Sequence, residues 1–267
     1  MGVIYEPRGP ALEYSPLACN PYRGCVHSCG YCFAPACLRM TPEAFHAQSV
    51  TRPGFLLAME KELRKLAGTD RRVLLCFTCD PYQPNEDGTT RKAIQLLNRY
   101  QVPFQVLTKG GTRATRDFDL YAQGDGVFAT TLLFTDDADR AEWEPNAASV
   151  ADRIEAIQQA HELGIRTWVS IEPVIDPAQA IALIPLLAAW VDEFRVGKLN
   201  HHPLAKTIDW QAFAVQVLDA LQDSGRDYMV KDALASFLSA GAPSRHYADD
   251  GMIVETVASS PRQIRLF

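Results

Sequence analysis

Three cysteines near the start of the chain have a spacing that suits an iron–sulfur cluster. They lie in the run Cys25-Val-His-Ser-Cys29-Gly-Tyr-Cys32, which has the pattern C-x3-C-x2-C. Three thiolates within eight residues can surround one face of a cubane cluster, whose four irons need four ligands. The fourth iron is then open to a small molecule. The spacing therefore predicts a [4Fe–4S] cluster with one free coordination position.

A zinc site is the main alternative for the same cysteines. Zinc modules pair one C-x2-C with a second C-x2-C, or with two histidines further along the chain. Cys76-Phe-Thr-Cys79 supplies such a second pair. It ends a strongly apolar segment about 45 residues further on, whereas zinc knuckles usually sit on short hairpins. The pattern therefore favours the iron–sulfur cluster over zinc; a cluster used for electron transfer alone is the other alternative.

The composition is consistent with a metal site inside a globular protein. Apolar residues make up 47% of the chain and charged residues 22%, which is typical of a protein with a sizeable core. The first residues lack the features of a secretory signal, and no apolar run reaches about 18 residues, so a cytoplasmic location and no membrane span are expected. Four of the seven cysteines crowd between Cys19 and Cys37. In the reducing cytoplasm, cysteines that crowd together more often bind metal or do redox chemistry than form disulfides.

The charge of the chain bears on nucleic-acid partners. The formal net charge is −6, and a protein that binds long duplex DNA through its phosphates would usually be basic. The densest basic stretch runs from Lys61 to Arg72, on and just after a predicted helix, and is interpreted as a solvated helix face. The charge therefore disfavours long duplex DNA and leaves a local binding groove open.

Short apolar segments alternate with amphipathic ones along the chain, which predicts parallel strands joined by helices. Strands are predicted at Val73–Thr78, Phe104–Lys109, Val127–Phe134, Arg166–Val174 and Phe194–Leu199, with a short one around Leu12–Leu17 and weaker signals at Tyr228–Val230 and Met252–Val257. Helices are predicted at Phe55–Ala67, Thr90–Tyr100, Arg116–Gln123, Val150–Leu163, Ala178–Trp190 and Trp210–Ser224.

Six such strand–helix units predict an α/β fold, a partial (β/α)6 TIM-like barrel with parallel strands and a C-terminal extension. We expect one domain over residues 1–267, with a core of about 12–225 and an extension over 226–267.

Polar residues stand at the predicted carboxyl ends of four strands, where barrel folds place their chemistry. These are Cys79 and Asp80, Thr108 and Lys109, Ser170 and Glu172, and Lys198 and Asn200. Each has an ordinary interpretation as well: Asp80 as a helix cap, Glu172 in a salt bridge, and Lys109 as a surface lysine. Because the four ends share one edge of the sheet, they predict a polar cavity above the cysteine loop.

With Tyr31 as the aromatic residue before the third cysteine, the loop resembles the signature of the radical S-adenosylmethionine (SAM) superfamily. Further segments resemble its branch related to spore photoproduct lyase, the DNA-repair-photolyase-like group: Asn20-Pro-Tyr-Arg-Gly-Cys25, Cys32-Phe-Ala-Pro, Cys79-Asp-Pro-Tyr-Gln-Pro84, Leu107-Thr-Lys109, and Glu144-Pro-Asn-Ala147 followed by Arg153. The resemblance covers roughly residues 12–200. It implies an enzyme whose Cys25, Cys29 and Cys32 hold a [4Fe–4S] cluster that reductively cleaves SAM, starting radical chemistry by hydrogen abstraction.

The resemblance also implies roles for the strand ends. Lys109 is expected to pair with the carboxylate of SAM, and Tyr31, Asp80, Ser170 and Glu172 to contact the same cofactor. The chain departs from many relatives because Cys79-Asp80 stands where Gly-Gly-Glu is common.

Cys79 is the candidate catalytic thiol, because an S–H bond is weak enough to return a hydrogen atom to a product radical. Cys76 is the alternative donor, and an inert buried thiol is the ordinary interpretation of both.

The substrate is left open by the sequence. A nucleobase or nucleotide follows from the resemblance, and a small metabolite or peptide is the alternative. A non-catalytic zinc or iron–sulfur module is the alternative from another class. Radical SAM chemistry also implies a reductant, such as flavodoxin or ferredoxin, as a partner.

Overall fold

The computed structural model describes residues 2–238 and two strands at 243–247 and 253–257. The strands are β1 (Ile4–Tyr5), β2 (Leu17–Cys19), β3 (Tyr22–Arg23), β4 (Val50–Thr51), β5 (Val73–Leu75), β6 (Phe104–Thr108), β7 (Gly126–Thr131), β8 (Arg166–Val174), β9 (Glu193–Lys198), β10 (Asp227–Val230), β11 (Pro243–Tyr247) and β12 (Ile253–Val257). The α-helices are α1 (Ala34–Cys37), α2 (Pro42–His46), α3 (Phe55–Leu66), α4 (Thr89–Arg99), α5 (Phe118–Gln123), α6 (Asp137–Trp143), α7 (Val150–Glu162), α8 (Pro177–Leu187), α9 (Trp210–Asp223) and α10 (Asp232–Ala235). Short 3-10 helices span Gly9–Glu13, Gly111–Asp117 and Pro203–Lys206.

One large sheet organises the chain, in the order β1-β2-β5-β6-β7-β8-β9-β10-β11-β12. Six parallel pairings join β2 and β5 through β10, so seven strands run in one direction. β1 pairs antiparallel with β2, and β11 and β12 add antiparallel strands at the other edge. The predicted α/β fold with a mostly parallel, TIM-like sheet is confirmed. The weak signal at Tyr228–Val230 is the seventh parallel strand, and the one at Met252–Val257 contains β12, with Met252 outside the described residues.

The short strand predicted before the cysteine loop, around Leu12–Leu17, is present as β2, but it lies further along the chain, at Leu17–Cys19. The chain forms a 3-10 helix at Gly9–Glu13, and β2 begins at Leu17. Pro10, at the start of this helix, fixes its own φ near the helical value and has no N–H to offer a strand. The apolar run Leu17-Ala18-Cys19 is buried at every position, which suits a central parallel strand.

One predicted strand is clearly shorter in the structure because a side chain takes over part of its backbone bonding. The strand predicted at Val73–Thr78 ends at Leu75. The N–H groups of Phe77 and Thr78 donate to Asn20 Oδ1 at 2.7 and 2.8 Å instead of to a neighbouring strand. The helix predicted at Arg116–Gln123 is likewise divided, with a 3-10 helix to Asp117 and α5 from Phe118.

The two faces of the sheet differ, because successive strand residues point to opposite sides. Phe104, Val106 and Phe128 belong to the main apolar core. Leu107, Val127, Ala129 and Trp168 form a smaller apolar cluster with Tyr14 on the other, inner face. The inner face also carries polar side chains: Gln105 donates to the Tyr14 carbonyl at 2.6 Å, and Arg195 donates to the same oxygen at 3.1 Å. The segment before β2 therefore lies against the inner face.

In the described part of the chain, helices that combine the length and the apolar character of a membrane span are absent.

Candidate functional site

The three cysteines of the predicted cluster loop follow β3. Cys29 is 9% exposed, Cys25 and Cys32 are half-buried, and all three are free thiols. They are near enough for Cys29 to raise the pKa of Cys25, and for Cys32 to raise that of Cys29. Over the described ranges, no three Cys, His, Asp or Glu side chains converge as they would on a single metal ion.

The start of the cysteine loop is fixed by backbone contacts with the α2 region. Cys25 N donates to the Phe45 carbonyl at 3.2 Å, and the Cys25 carbonyl lies 2.7 Å from His46 Nδ1. Gly24 has φ +80°, and a Cβ on it would lie 2.0 Å from the Gln48 carbonyl oxygen. Only glycine fits that position, so the approach of the loop to its neighbour depends on it.

Burial dominates the electrostatics of the cysteine loop. It is the largest cause raising the pKa of Cys29, to about 12. Burial also raises the pKa of Cys25 and of Cys32. These buried thiols resist losing their protons on their own. They would become thiolates together with the binding of a metal, because metal ligation and deprotonation of a thiol are coupled.

Lys109 and Tyr31 meet beside Cys29. The Lys109 Nζ lies 5.6 Å from the centre of the Tyr31 ring, within the range of a cation–π contact. Burial alone would lower the pKa of Lys109, but Cys29, Glu144 and Asp80 act against it and the pKa is raised. Tyr31 donates its hydroxyl to Glu144 Oε1. The structure thus brings these two predicted residues together next to the cysteine loop.

Asp80 is buried and its carboxylate is heavily used by its surroundings. Oδ1 accepts from Tyr82 N at 2.8 Å and Thr108 Oγ1 at 2.6 Å, and Oδ2 accepts from Lys109 N at 2.7 Å. His27 Nδ1, inside the cysteine loop, lies 3.5 Å from Oδ2. Burial would raise the pKa of Asp80, but His27 and these hydrogen bonds lower it. Asp80 therefore joins the loop to the end of β6; its predicted contact with SAM stays a prediction.

Ser170 and Glu172 belong to a second polar group, on the inner face around Tyr14. Tyr14 donates its hydroxyl to Glu172 Oε2 and is also hydrogen-bonded to Ser170. Lys231 Nζ lies 2.8 Å from Glu172 Oε2 and 3.3 Å from Glu13 Oε2. Their predicted contact with SAM remains untested, and the structure gives both residues close protein partners.

An aromatic path connects the two groups. Phe77 contacts Tyr14, with ring centres 5.5 Å apart, and Phe33, with centres 6.2 Å apart. Phe33 directly follows Cys32, and Phe77 lies between the two cysteines of the second pair.

Cys79 lies in a group of three thiols outside the cysteine loop. Its Sγ is 4.0 Å from Asn20 Oδ1, and its thiol is hydrogen-bonded to that of Cys76. Burial is the main cause that raises the pKa of both Cys19 and Cys25, and Cys79 adds to each rise. Cys79 is half-buried, whereas Cys19 and Cys76 are buried, which leaves Cys79 as the more accessible thiol.

The sequence alone suggested no individual role for four residues that the structure places at the site. Glu144 and Arg153 were recognised as part of a motif, while Tyr14 and Lys231 gave no signal. Tyr14 is separated from its partner Glu172 by 158 residues along the sequence, and Lys231 is separated from the same partner by 59. Contacts this distant in sequence leave no local pattern, so only the Glu144 and Arg153 motif could have been found.

Comparison with known proteins identifies distant relatives. No family model matches the chain. An uncharacterized protein of Mycobacterium tuberculosis is 28% identical over 179 residues, covering 63% of this chain and 52% of the relative. An uncharacterized protein of Acidianus two-tailed virus is 23% identical over 164 residues, covering 58% and 54%. The chain spans about half the length of these curated relatives.

Solved structures share the fold. Spore photoproduct lyase complexed with dinucleoside spore photoproduct matches with a TM-score of 0.58 at 14% identity, over 95% of this chain and 72% of the lyase. SuiB of Streptococcus suis bound to S-adenosylmethionine matches with a TM-score of 0.61 at 13% identity, over 89% of this chain and 59% of SuiB. The chain therefore shares the fold of these proteins, which is the fold that the resemblance drawn from sequence motifs implied.

Proposed function

We propose that the protein is a radical SAM enzyme in which Cys25, Cys29 and Cys32 bind a [4Fe–4S] cluster. The observation that carries this proposal is the C-x3-C-x2-C loop at the end of a parallel α/β sheet whose fold is shared with a SAM-bound protein. These three cysteines would hold the cluster, which when bound and reduced would supply the electron for reductive cleavage of SAM and so for hydrogen abstraction from the substrate.

The residues present fit such a cluster. Three free thiols share one loop, and the fixed turn at Gly24 sets where that loop begins. The raised pKa of Lys109 keeps its ammonium protonated near the cysteine side chains, where it can pair with the SAM carboxylate. His27 and Asp80 hold the middle of the loop against the end of β6. The chain therefore supplies thiolate ligands and a cation on the same side of the sheet.

Anaerobic reconstitution tests this function directly. We expect about four iron and four sulfide ions per chain, and conversion of SAM to 5′-deoxyadenosine after reduction by dithionite or by reduced flavodoxin or ferredoxin. Tight zinc binding without SAM turnover would instead support a non-catalytic zinc module. A loaded cluster that never cleaves SAM would support an electron-transfer or structural cluster.

For the substrate, a nucleobase or nucleotide is the first candidate. It is supported by the shared fold with spore photoproduct lyase and by the aromatic path from Phe33 through Phe77 to Tyr14, because aromatic rings stack on bases. A peptide is the second candidate, supported by the shared fold with SuiB, which has been solved with precursor peptide SuiA. Transfer of deuterium from a labelled candidate into 5′-deoxyadenosine separates the two. Within this proposal the enzyme is cytoplasmic, and residues 1–267 form one domain.

Replacing Lys109 by alanine is expected to weaken SAM binding by about 10- to 100-fold, because a charge-assisted hydrogen bond is worth about 1.5–3 kcal/mol. Calorimetric titration of the reconstituted protein measures the dissociation constant. Lys198→Ala is the matched control, because Lys198 also ends a strand but its Nζ lies over the rings of Trp210 and Phe237, at 5.4 and 4.9 Å. Equal affinities for the wild type and Lys109→Ala would remove Lys109 from the SAM site.

Replacing Cys79 by alanine is expected to leave the cleavage of SAM intact and to change the product. In D2O the wild-type thiol carries deuterium, so the product should gain one deuterium, and Cys79→Ala should lose this label. Mass spectrometry of the product measures it. Cys37→Ala, an exposed thiol, is the control, and Cys76→Ala tests the alternative donor. Normal, labelled product from Cys79→Ala would exclude Cys79 as the hydrogen donor.

A further inference from the structure

We propose that the buried ion pair of Glu144 and Arg153 is a positioning device for the cysteine loop. Both residues are 0% exposed, and Arg153 Nη2 lies 2.5 Å from Glu144 Oε2. The other carboxylate oxygen, Oε1, accepts the hydroxyl of Tyr31, which stands between the second and third cysteines. The catalytic meaning of this arrangement rests on the proposed function, whereas the arrangement itself does not.

The guanidinium of Arg153 is fixed independently of Glu144. Its Nε donates to the Ala148 carbonyl and its Nη1 to the Thr131 carbonyl, both at 2.9 Å. These bonds tie it to the end of β7 and the start of α7, so it presents the remaining donor in one direction. The carboxylate that meets it is therefore held in one orientation as well, aimed at Tyr31.

Stability alone does not explain a pair of this kind. Removing two charges from water is costly, and an apolar pair of similar volume is often as stable or more stable. The pair is fully buried and also accepts a hydrogen bond from the cysteine loop, so its contribution is to hold Tyr31 in a defined position. The ion pair gives Tyr31 a fixed acceptor that an apolar pair would lack.

The backbone around Glu144 runs beside the cysteine loop, which strengthens the link. Gly30 N donates to the Trp143 carbonyl at 2.8 Å, and Asn146 N donates to the His27 carbonyl at 3.2 Å. Asn146 Nδ2 also donates to the Val26 carbonyl at 2.9 Å. Residues 143–146 thus pair with residues 26–30 on both sides of Glu144, and a shift of Glu144 shifts the loop.

Loss of the ion pair should release Tyr31 and loosen its neighbours. Cys29 and Cys32 flank Tyr31, and Lys109 faces its ring. Without a charged acceptor that Arg153 holds in place, the hydroxyl of Tyr31 is bound less tightly, so that Tyr31 can leave the Glu144 pocket, Cys29 becomes more accessible and Lys109 loses its aromatic contact. Glu144 and Arg153 are therefore positioning residues, acting on the cysteines and on Lys109 through Tyr31.

Thiol labelling of the metal-free protein tests the positioning role. In Glu144→Gln we expect alkylation of Cys29 to be at least about tenfold faster than in the wild type, because local opening becomes easier. Tyr31→Phe keeps the ring but removes the hydroxyl, and should give an increase in the same direction. Peptide mass spectrometry measures each rate, with the buried Cys19 as an internal reference.

Glu193→Gln is the control for a simple loss of stability. Glu193 is 2% exposed and pairs with Arg195 at 2.7 Å, away from the cysteine loop. It should lower the thermal midpoint without accelerating the labelling of Cys29. Equal Cys29 rates in the wild type, Glu144→Gln and Tyr31→Phe would overturn the proposal. An equal acceleration in Glu193→Gln would also overturn it, because the effect would then follow stability alone.

Spectroscopy of the reconstituted protein adds a second test. The change in the electron paramagnetic resonance spectrum of the reduced protein on adding SAM should be lost or altered in Glu144→Gln and Tyr31→Phe, and retained in Glu193→Gln. If Glu144→Gln and Tyr31→Phe both showed the same spectral response to SAM as the wild type, the positioning role would be overturned. A wild type that takes up no cluster would refute the proposed function, while the labelling rates would still decide whether the ion pair positions the loop.

Discussion

Replacing Cys29 by alanine is expected to abolish the cleavage of SAM. The same result is expected for Cys25→Ala and Cys32→Ala, because each substitution removes one of the only three protein ligands expected for the cluster. The side chain removed is small, so the metal-free variants should fold. Liquid chromatography of 5′-deoxyadenosine after anaerobic reduction measures the activity, and iron analysis measures the cluster.

The chain offers matched controls for these three variants. Cys37 is an exposed thiol at the end of α1, five residues after Cys32, and Cys19 is a buried thiol six residues before Cys25. Cys37→Ala and Cys19→Ala should retain both iron and SAM cleavage, because neither belongs to the C-x3-C-x2-C pattern. A loop variant that still cleaved SAM at the wild-type rate would contradict the ligand assignment. Loss of activity in a control would show that general damage, and not ligation, lies behind the result.

The features that the sequence predicts well are local ones. The bounds predicted for β6, β8 and β9 agree with the structure to within one residue, because each segment is rich in apolar, aromatic or β-branched residues. The cysteine loop is equally local, because its three thiols lie within eight residues. The polar strand ends were also predictable, since parallel strands bring their carboxyl ends to one edge.

The features that the sequence did not predict depend on distant partners. The segment around Tyr14 looks like a strand because it alternates apolar and polar residues, yet its carbonyl is bonded to Gln105 and Arg195 on the inner face of the sheet. Asp80 carries a carboxylate that could bind a cofactor, yet in the folded chain this carboxylate accepts three hydrogen bonds from residues 82, 108 and 109. The division of polar strand ends into two groups, one at the cysteine loop and one around Tyr14, likewise emerges only from the folded chain.

Replacing Lys231 by methionine is expected to lower the free energy of unfolding by about 3 kcal/mol, the lower end for breaking a buried ion pair. Lys231 is 5% exposed and lies between the carboxylates of Glu172 and Glu13, at 2.8 and 3.3 Å. Its Nζ is also 4.1 Å from the centre of the Tyr14 ring. Methionine keeps the volume but leaves both carboxylates without their cation. Urea denaturation at neutral pH measures the difference.

The loss should depend on pH in a defined direction. Burial raises the pKa of Glu13, and Lys231 acts against that rise, so the variant should have a still higher Glu13 pKa. A carboxyl whose folded pKa exceeds its unfolded value favours the folded state at low pH, and this stability is lost as the pH rises through the folded pKa. The deficit of Lys231→Met should therefore be larger near pH 8 than near pH 5. A deficit independent of pH would show that packing, and not charge, is what Lys231 contributes.

A second substitution separates the ion pair from its surroundings. Glu172→Gln in the Lys231→Met background removes one unpaired carboxylate, so the double variant should be more stable than the sum of the two single losses predicts. Arg64→Met is the exposed comparison: its guanidinium pairs with Glu60 and its side chain is 65% exposed, so its loss should cost at most about 1 kcal/mol. Lys231 follows β10, while Glu172 lies in β8 and Glu13 precedes β2. This one cation therefore holds the segment before β2, the first parallel strand, to β8 and to the end of β10. The inner face around Tyr14, whose ring ends the aromatic path proposed to stack on a base, should thus depend on Lys231 for its shape, and Lys231→Met should disturb that face even where the helices around it remain folded.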